Sequence, residues 1–204
     1  MKFRCKNLLV TGGAGFIGSN FINFLLKNYN DLNIINLDLL TYAANLNSIK
    51  NFESYDNYKF IKGDICDKVL LNKIFNEYDV DGVINFAAES HVDNSILNPY
   101  NFIKTNINGV FSLLEACLSN WFDDNYKIKN KYLNSRFHQI STDEIYGSID
   151  SDSFTETDKY KPNSPYAASK ASADMIVRSY NKTYGLNTSI SVSSNNFGFN
   201  QHHE

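Results

Sequence analysis

The chain carries no surplus of positive charge. Its 204 residues hold 19 lysines and arginines against 22 aspartates and glutamates, a formal net charge of −3. A surface that neutralises many phosphates needs the opposite balance, so nucleic acid is not an expected partner. Long apolar runs are missing too: nothing approaches the roughly 18 residues of a membrane-spanning helix, so no membrane is expected. Near the start, Lys2, Arg4 and Lys6 surround and precede the apolar Leu8-Leu9-Val10, but Gly12 and Gly13 cut that run at once. A secretory signal needs a longer apolar core, and a cytoplasmic protein is expected. Cysteine is scarce. Cys5, Cys66 and Cys117 are odd in number and far apart, which argues against a disulfide framework and predicts buried free thiols. What is present, 43% hydrophobic and 20% charged residues, suits one globular domain over residues 1–204 and leaves too little chain for two large ones.

Asn7 to Thr11 reads as a short buried strand, followed by Gly-Gly-Ala-Gly-Phe-Ile-Gly and then Phe16, Ile17, Phe21 and Leu25 at helical spacing. Gly12, Gly15 and Gly18 stand three apart, a looser form of the dinucleotide fingerprint with the same physics. Gly12 permits the tight turn, Gly15 lets backbone approach a pyrophosphate, and Gly18 allows close helix–strand packing. The helix start then offers free N–H groups and a positive dipole end to phosphates. The next strand, Asn33 to Leu37, ends at Asp38, about twenty residues beyond Gly18. An acid there accepts from adenosine ribose hydroxyls and favours NAD over NADP, or serves as a plain loop or capping acid. Tyr58 to Lys62 is a third strand. Asp64 after it either meets an adenine amino group or caps the helix Lys68 to Glu77. Gly82 to Phe86 is the fourth strand, and Ala87 and Ala88 are small enough for backbone to pass close to a cofactor. In the polar run Glu89 to Asp93, His91 has no recognisable nucleophile beside it and reads as structural.

Pro99 opens a long helix whose Ile103, Ile107, Val110, Leu114 and Cys117 form one apolar stripe, with Phe102, Phe111, Leu113 and Leu118 on a second flank. Such a helix lies deep in the domain or packs on another subunit. Asn120 to Ser135 is polar and reads as a surface connection. Arg136 to Ser141 is the fifth strand, and Thr142-Asp143-Glu144 follows at its C-terminal end, where open α/β sheets bind ligands. Adjacent carboxylates there are either a solvated loop pair or a pair put to use. The acids Asp150, Asp152, Glu156 and Asp158 read as solvated surface. Ser164 caps a helix with Pro165 in its first turn. Tyr166 and Lys170, four apart, project from one face of it. It ends at Gly185, and Asn187 to Val192 is the sixth strand. Alternation of strands and helices predicts an α/β doubly wound, mostly parallel sheet with helices on both faces.

The glycine motif with a later Tyr-x-x-x-Lys resembles the extended short-chain dehydrogenase/reductase superfamily, whose Rossmann-type domain holds NAD. Within it, Asp38 to Leu46, Phe86 to Asn94, Ser141 to Gly147 and Ser164 to Ala171 resemble the dTDP-glucose 4,6-dehydratases. Sugar-nucleotide epimerases share the Tyr and Lys but usually lack the Asp-Glu pair. The resemblance implies that Phe16 and Ile17 flank the pyrophosphate beside Gly12, Gly15 and Gly18, that Asp38 holds the adenosine ribose, and that Thr41 also binds the cofactor. It places Asp64 and Ile65 by the adenine, and Phe86, Ala87, Ala88, Thr105 and Asn196 elsewhere along NAD. Ser90, Thr142 and Asn195 would touch the sugar nucleotide.

Tyr166 would take the 4-hydroxyl proton, with Lys170 and the nicotinamide charge lowering its pKa from about 10 towards neutrality. Glu144 would remove the C5 proton and Asp143 protonate the departing 6-hydroxyl, their repulsion separating their pKa values. The alternatives are a UDP-sugar 4,6-dehydratase, a sugar-nucleotide 4-epimerase, or an NAD-binding module without turnover. A homodimer through the Pro99 and Tyr166 helices is expected. Two features depart from the family: Phe199 and His203 stand where its pattern has prolines, and family members are longer. The chain is therefore expected to be an N-terminal portion with its substrate domain largely absent. His202-His203-Glu204 are consecutive and lack helical spacing, so no metal site is expected.

Overall fold

The computed structural model describes residues 5–149, 151 and 153–201. Lys2, Arg4, Asp150, Asp152 and the His202-His203-Glu204 run, all used above, lie outside the described residues. In chain order the elements are β1 (Asn7–Thr11), α1 (Phe16–Asn28), β2 (Asn33–Asp38), α2 (Leu46–Ile49), β3 (Tyr58–Lys62), α3 (Lys68–Tyr78) and β4 (Gly82–Asn85). Then come α4 (Val92–Leu97), α5 (Pro99–Phe102), a π-helical stretch (Ile103–Gly109), α6 (Val110–Trp121), β5 (Arg136–Thr142), α7 (Pro165–Tyr184) and β6 (Thr188–Ser193). The strands form one sheet in the order β3-β2-β1-β4-β5-β6, and every pairing is parallel. This is the Rossmann order, and the strand order reverses between β1 and β4, where open sheets place ligands outside the strand C-termini.

Both faces are covered at β1, β2 and β4, which is why those strands are largely apolar on both sides. Leu9, Ile35, Leu37, Val83 and Phe137 point to one face and pack against α3, α6 and α7. Leu8, Val10 and Ile34 point to the other and pack under α1 with Ile22, Leu25 and Leu26.

Three expectations change. The helix opened by Pro99 is not one regular helix. Its stretch Ile103–Gly109 is π-helical, a wider turn that shifts the phase of side chains. Phe102, Asn106 and Val110 therefore turn inward, while Ile103, expected on the buried stripe, is 49% exposed. The Asn120–Ser135 connection is not all surface, because Trp121 and Phe122 are buried and the indole Nε1 donates to Val80 O at 2.8 Å. Of the three free thiols only Cys117 is fully buried; Cys5 and Cys66 are half-buried.

Candidate active site

The glycine turn sits at the C-terminal end of β1. Gly12 has φ +71°, and a Cβ there would lie 2.5 Å from Ala87 N, so the turn is pressed against the end of β4. A Cβ at Gly18 would lie 2.4 Å from Gly12 O, which fixes α1 tightly over the turn. Gly15 differs: a Cβ there meets only Gly12 O, at 3.3 Å. No side chain caps α1 at Gly15. The open side of Gly15 and an uncapped helix start are what a pyrophosphate requires.

Asp38, 9% exposed, accepts from Ala14 N at 2.9 Å through Oδ2 and from Leu40 N at 2.8 Å through Oδ1. It thus holds the glycine turn and keeps further lone pairs for ribose hydroxyls. Asp64 does not cap α3; Asp67 does, accepting from Val69 N and Leu70 N, both at 3.0 Å. Asp64 instead accepts from Cys66 N at 2.9 Å and pairs with Lys104 at 3.2 Å. Ile65 is buried beside Gly109.

Beneath these loops runs a buried polar row. Thr11 Oγ1 donates to Asn85 Oδ1 at 2.5 Å, and Asn85 Nδ2 donates to Gln139 Oε1 at 2.9 Å, crossing β1, β4 and β5. Asn106, placed inward by the π-helical stretch, joins two parts of the site. Its Oδ1 accepts from Glu89 N at 2.8 Å, and its Nδ2 donates to Glu89 O at 3.0 Å and to Ser169 Oγ at 2.8 Å. Ser169 Oγ in turn donates to Tyr166 O at 2.7 Å. His91 Nδ1 lies 3.1 Å from the Tyr42 hydroxyl, which also donates to Glu89 Oε2 at 3.1 Å.

At the end of β5, Thr142 Oγ1 accepts from Glu144 N at 3.3 Å and caps a 3-10 turn, Asp143–Tyr146. Burial first, and then the neighbouring Asp143, push the Glu144 carboxyl up; a raised carboxylate is a stronger base. Ser164 caps α7 as expected, accepting from Ala167 N at 3.0 Å. Tyr166 and Lys170 are both buried on it.

Burial shifts the Tyr166 phenol and the Lys170 ammonium in opposite directions. Lys170 Nζ donates to Ile140 O at 2.6 Å. The phenol is pushed up to about 12, by burial and then by the Glu144 charge, with the Thr142 hydroxyl pulling the other way. Burial lowers Lys170 to about 8, against the charge of Asp174.

Thr41, Ser90 and Asn195 are exposed side chains on loops that leave β2, β4 and β6, and Thr105 is half-buried on the π-helical stretch. Asn196 Nδ2 donates to Ser194 O at 3.0 Å. The segment beyond it reaches the start of α1, where Asn20 Nδ2 donates to Phe199 O at 2.7 Å and Gly198 lies against the Phe16 ring. Gly12 to Gly18, Asp38 and Phe86 to Ala88 thus gather at the ends of β1, β2 and β4, and Thr142 to Glu144, Tyr166 and Lys170 between β5 and α7. A surface hollow of ≈ 590 Å³ among Asn72, Asn76, Ser119, Asn120, Lys129 and Tyr132 lies along α3 and the last turn of α6, away from these strand ends. Among the described residues no group of three His, Cys, Asp or Glu side chains could hold a metal ion, and no helix is long and apolar enough to cross a membrane.

Sequence reasoning passed over Asn106, Ser141 and Asp174. Asp174 had a legible signal, since Tyr166, Lys170 and Asp174 stand four apart on one helix. Asn106 had none, because nothing in its neighbours marks a π-helical turn.

A family profile described as GDP-mannose 4,6 dehydratase matches residues 9–204. The dTDP-glucose 4,6-dehydratase of Salmonella typhimurium is 46% identical over 201 residues, covering 94% of this chain and 55% of that protein. The crystal structure of a Streptomyces venezuelae dTDP-glucose 4,6-dehydratase with NAD bound superposes with a TM-score of 0.86 at 44% identity, over 96% of this chain and 58% of that one. That of the Bacillus anthracis enzyme, also in complex with NAD, gives 0.81 at 45% identity, over 96% and 57%. The chain spans little more than half the length of the relatives it matches.

Proposed function

The chain belongs to the GDP-mannose 4,6 dehydratase family, and from that premise we propose that it is the cofactor-binding and catalytic part of an NAD-dependent dTDP-glucose 4,6-dehydratase, a hydro-lyase of deoxysugar biosynthesis. The observation that carries the reading is the Asp143–Glu144 pair at the end of β5 facing a buried Tyr166–Lys170 helix. The closely related dehydratase structures with NAD bound support the choice of cofactor.

In this reading residues 1–204 form one NAD-binding domain. Gly12, Gly15, Phe16, Ile17 and Gly18 hold the pyrophosphate at the start of α1, and Asp38 and Thr41 the adenosine ribose. Asp64 and Ile65 lie at the adenine, and Phe86, Ala87, Ala88, Thr105 and Asn196 along the remainder. NAD, when bound, supplies the hydride acceptor at sugar C4 and the hydride donor at C6. Ser90, Thr142 and Asn195 orient the sugar nucleotide. Tyr166 takes the proton of the 4-hydroxyl through its phenol oxygen. With its own surroundings raising it to about 12, that phenol ionises only when positive charge comes near. Glu144, a strengthened base, removes the C5 proton, made acidic by the C4 ketone. Asp143 delivers a proton to the departing 6-hydroxyl.

Exposed apolar side chains on α4 to α7, among them Leu97, Tyr100, Ile103, Phe111 and Met175, support a homodimer. Free cysteines support a reducing, cytoplasmic setting. The test is incubation with dTDP-glucose in deuterated water. A 4-keto-6-deoxy product carrying deuterium at C5, without net NADH, is expected, and Glu144→Gln should abolish C5 exchange. Conversion to a 4-epimer instead, or normal exchange in the variant, would overturn the assignment.

A further inference from the structure

One buried carboxylate near the site has no part in the chemistry above. Asp174 is fully buried on α7 and follows Tyr166 and Lys170 at spacings of four, so the three share one helical face. Its Oδ2 accepts from Ser141 Oγ at 2.5 Å, and Ser141 directly precedes Thr142-Asp143-Glu144. Its Oδ1 has no hydrogen-bond partner. A carboxylate buried in this way is costly unless charge compensates it.

The groups around it are few. Lys170 and Arg178 act on it from α7, Tyr160 from the loop before α7, and Ser141 from β5. Tyr146 of the 3-10 turn and Tyr166 feel its charge. Burial raises Asp174 to about 6, against the Ser141 hydrogen bond and the charges of Lys170 and Arg178. Lys170, for its part, has only the neutral Ile140 carbonyl as hydrogen-bond acceptor, and a carbonyl does not neutralise a buried ammonium.

Resting on the function read above, we propose that Asp174 is a positioning residue. Its carboxylate is the counter-ion that keeps Lys170 charged on the Tyr166 face of α7, and Ser141 locks that counter-ion to the strand that ends in Asp143 and Glu144. The charged groups on this face are Lys170, Arg178 and Asp174. Without the Asp174 charge, burial alone acts on Lys170, which then releases its proton at a lower pH.

Asp174→Asn tests this, because the amide keeps the shape and an acceptor for Ser141 while removing the charge. The Lys170 titration is followed by ¹³C NMR of its ε-carbon, assigned with Lys170→Met. In the unaltered protein the curve should show its main step near 8 and a smaller one near 6. Asp174→Asn should lose the smaller step and move the main step down by about one pH unit or more. In the pH profile of kcat, the step that follows loss of the Lys170 charge should move down by the same amount, with KM little changed. An unmoved lysine titration in the variant overturns the proposal. So does a wild-type curve without the step near 6, a measurement that does not depend on the variant folding. Absence of dehydration by the unaltered protein would instead count against the function proposed above, and the lysine titration would still decide this one.

Discussion

Alanine at Gly15 and alanine at Gly18 should separate cofactor binding from folding. At Gly15 the backbone is extended, φ −77° and ψ 173°, a conformation alanine adopts freely. The added Cβ meets only Gly12 O at 3.3 Å. Reduced freedom of the unfolded chain favours the variant by about 0.4–1 kcal/mol, while the poorer N-cap and the close oxygen oppose it by a similar amount. Stability should therefore stay within about 1 kcal/mol of the parent. The methyl nevertheless fills the space where the pyrophosphate meets backbone, and NAD affinity should drop at least tenfold, about 1.4 kcal/mol. At Gly18 the Cβ would sit 2.4 Å from Gly12 O and 2.9 Å from Gly13 Cα. Neither backbone group can turn aside, so α1 must lift. Overpacking of about 1–3 kcal/mol outweighs a helix-propensity gain of about 1 kcal/mol, and stability falls along with NAD binding. Urea unfolding and calorimetric titration with NAD read the two quantities separately. Parental NAD affinity in Gly15→Ala, or a Gly18→Ala protein as stable as the parent, would refute the placement of the pyrophosphate or of α1.

Lys170 should leave a mark on stability against pH. Folded, it releases its proton near 8, and unfolded near 10.5. Between those values the unfolded chain binds more protons, so stability rises with pH, by roughly 3 kcal/mol in all. Urea midpoints of Lys170→Met between pH 8 and 10 should lack that rise; an equal rise in the variant would show that the lysine is not responsible. Asp67→Ala removes the acceptor of both α3 N-terminal N–H groups. It should cost about 1 kcal/mol in urea unfolding and leave NAD affinity as it was.

Much of this molecule could be read from residue order. Apolar runs over Asn7 to Thr11, Asn33 to Leu37 and Gly82 to Phe86 gave the central strands, because a sheet covered on both faces needs apolar side chains on both. Ser164-Pro165 and Gly185 bracketed α7 through capping chemistry alone. The helix after Pro99 resisted, since its apolar spacing suits a regular helix, whereas the π-helical stretch goes with tertiary contacts of Asn106 with Glu89 and Ser169 that no local pattern encodes. Trp121 and Phe122 sat in a polar context that concealed their burial. The hydrogen-bond partner of Lys170 was hidden for a similar reason. Helical spacing put the lysine on the Tyr166 face, but its partner, the Ile140 carbonyl, is set by the distance between α7 and β5, which no local pattern encodes.

The polar row through Thr11, Asn85 and Gln139 bears on how the sheet assembles. Thr11 stands opposite Asn85, and Asn85 opposite Gln139, in the strand register. A slip of β5 by one residue would send Gln139 to the opposite face and strand the Asn85 amide in an apolar interior. The row therefore works as a proofreading device during folding, rejecting misaligned pairings of β1, β4 and β5 by leaving amides unsatisfied. Because β5 ends in Thr142, the alignment it enforces also decides at what height Asp143 and Glu144 emerge beside the glycine turn. The spacing of Asp143 and Glu144 from the glycine turn is in this sense inherited from strand alignment.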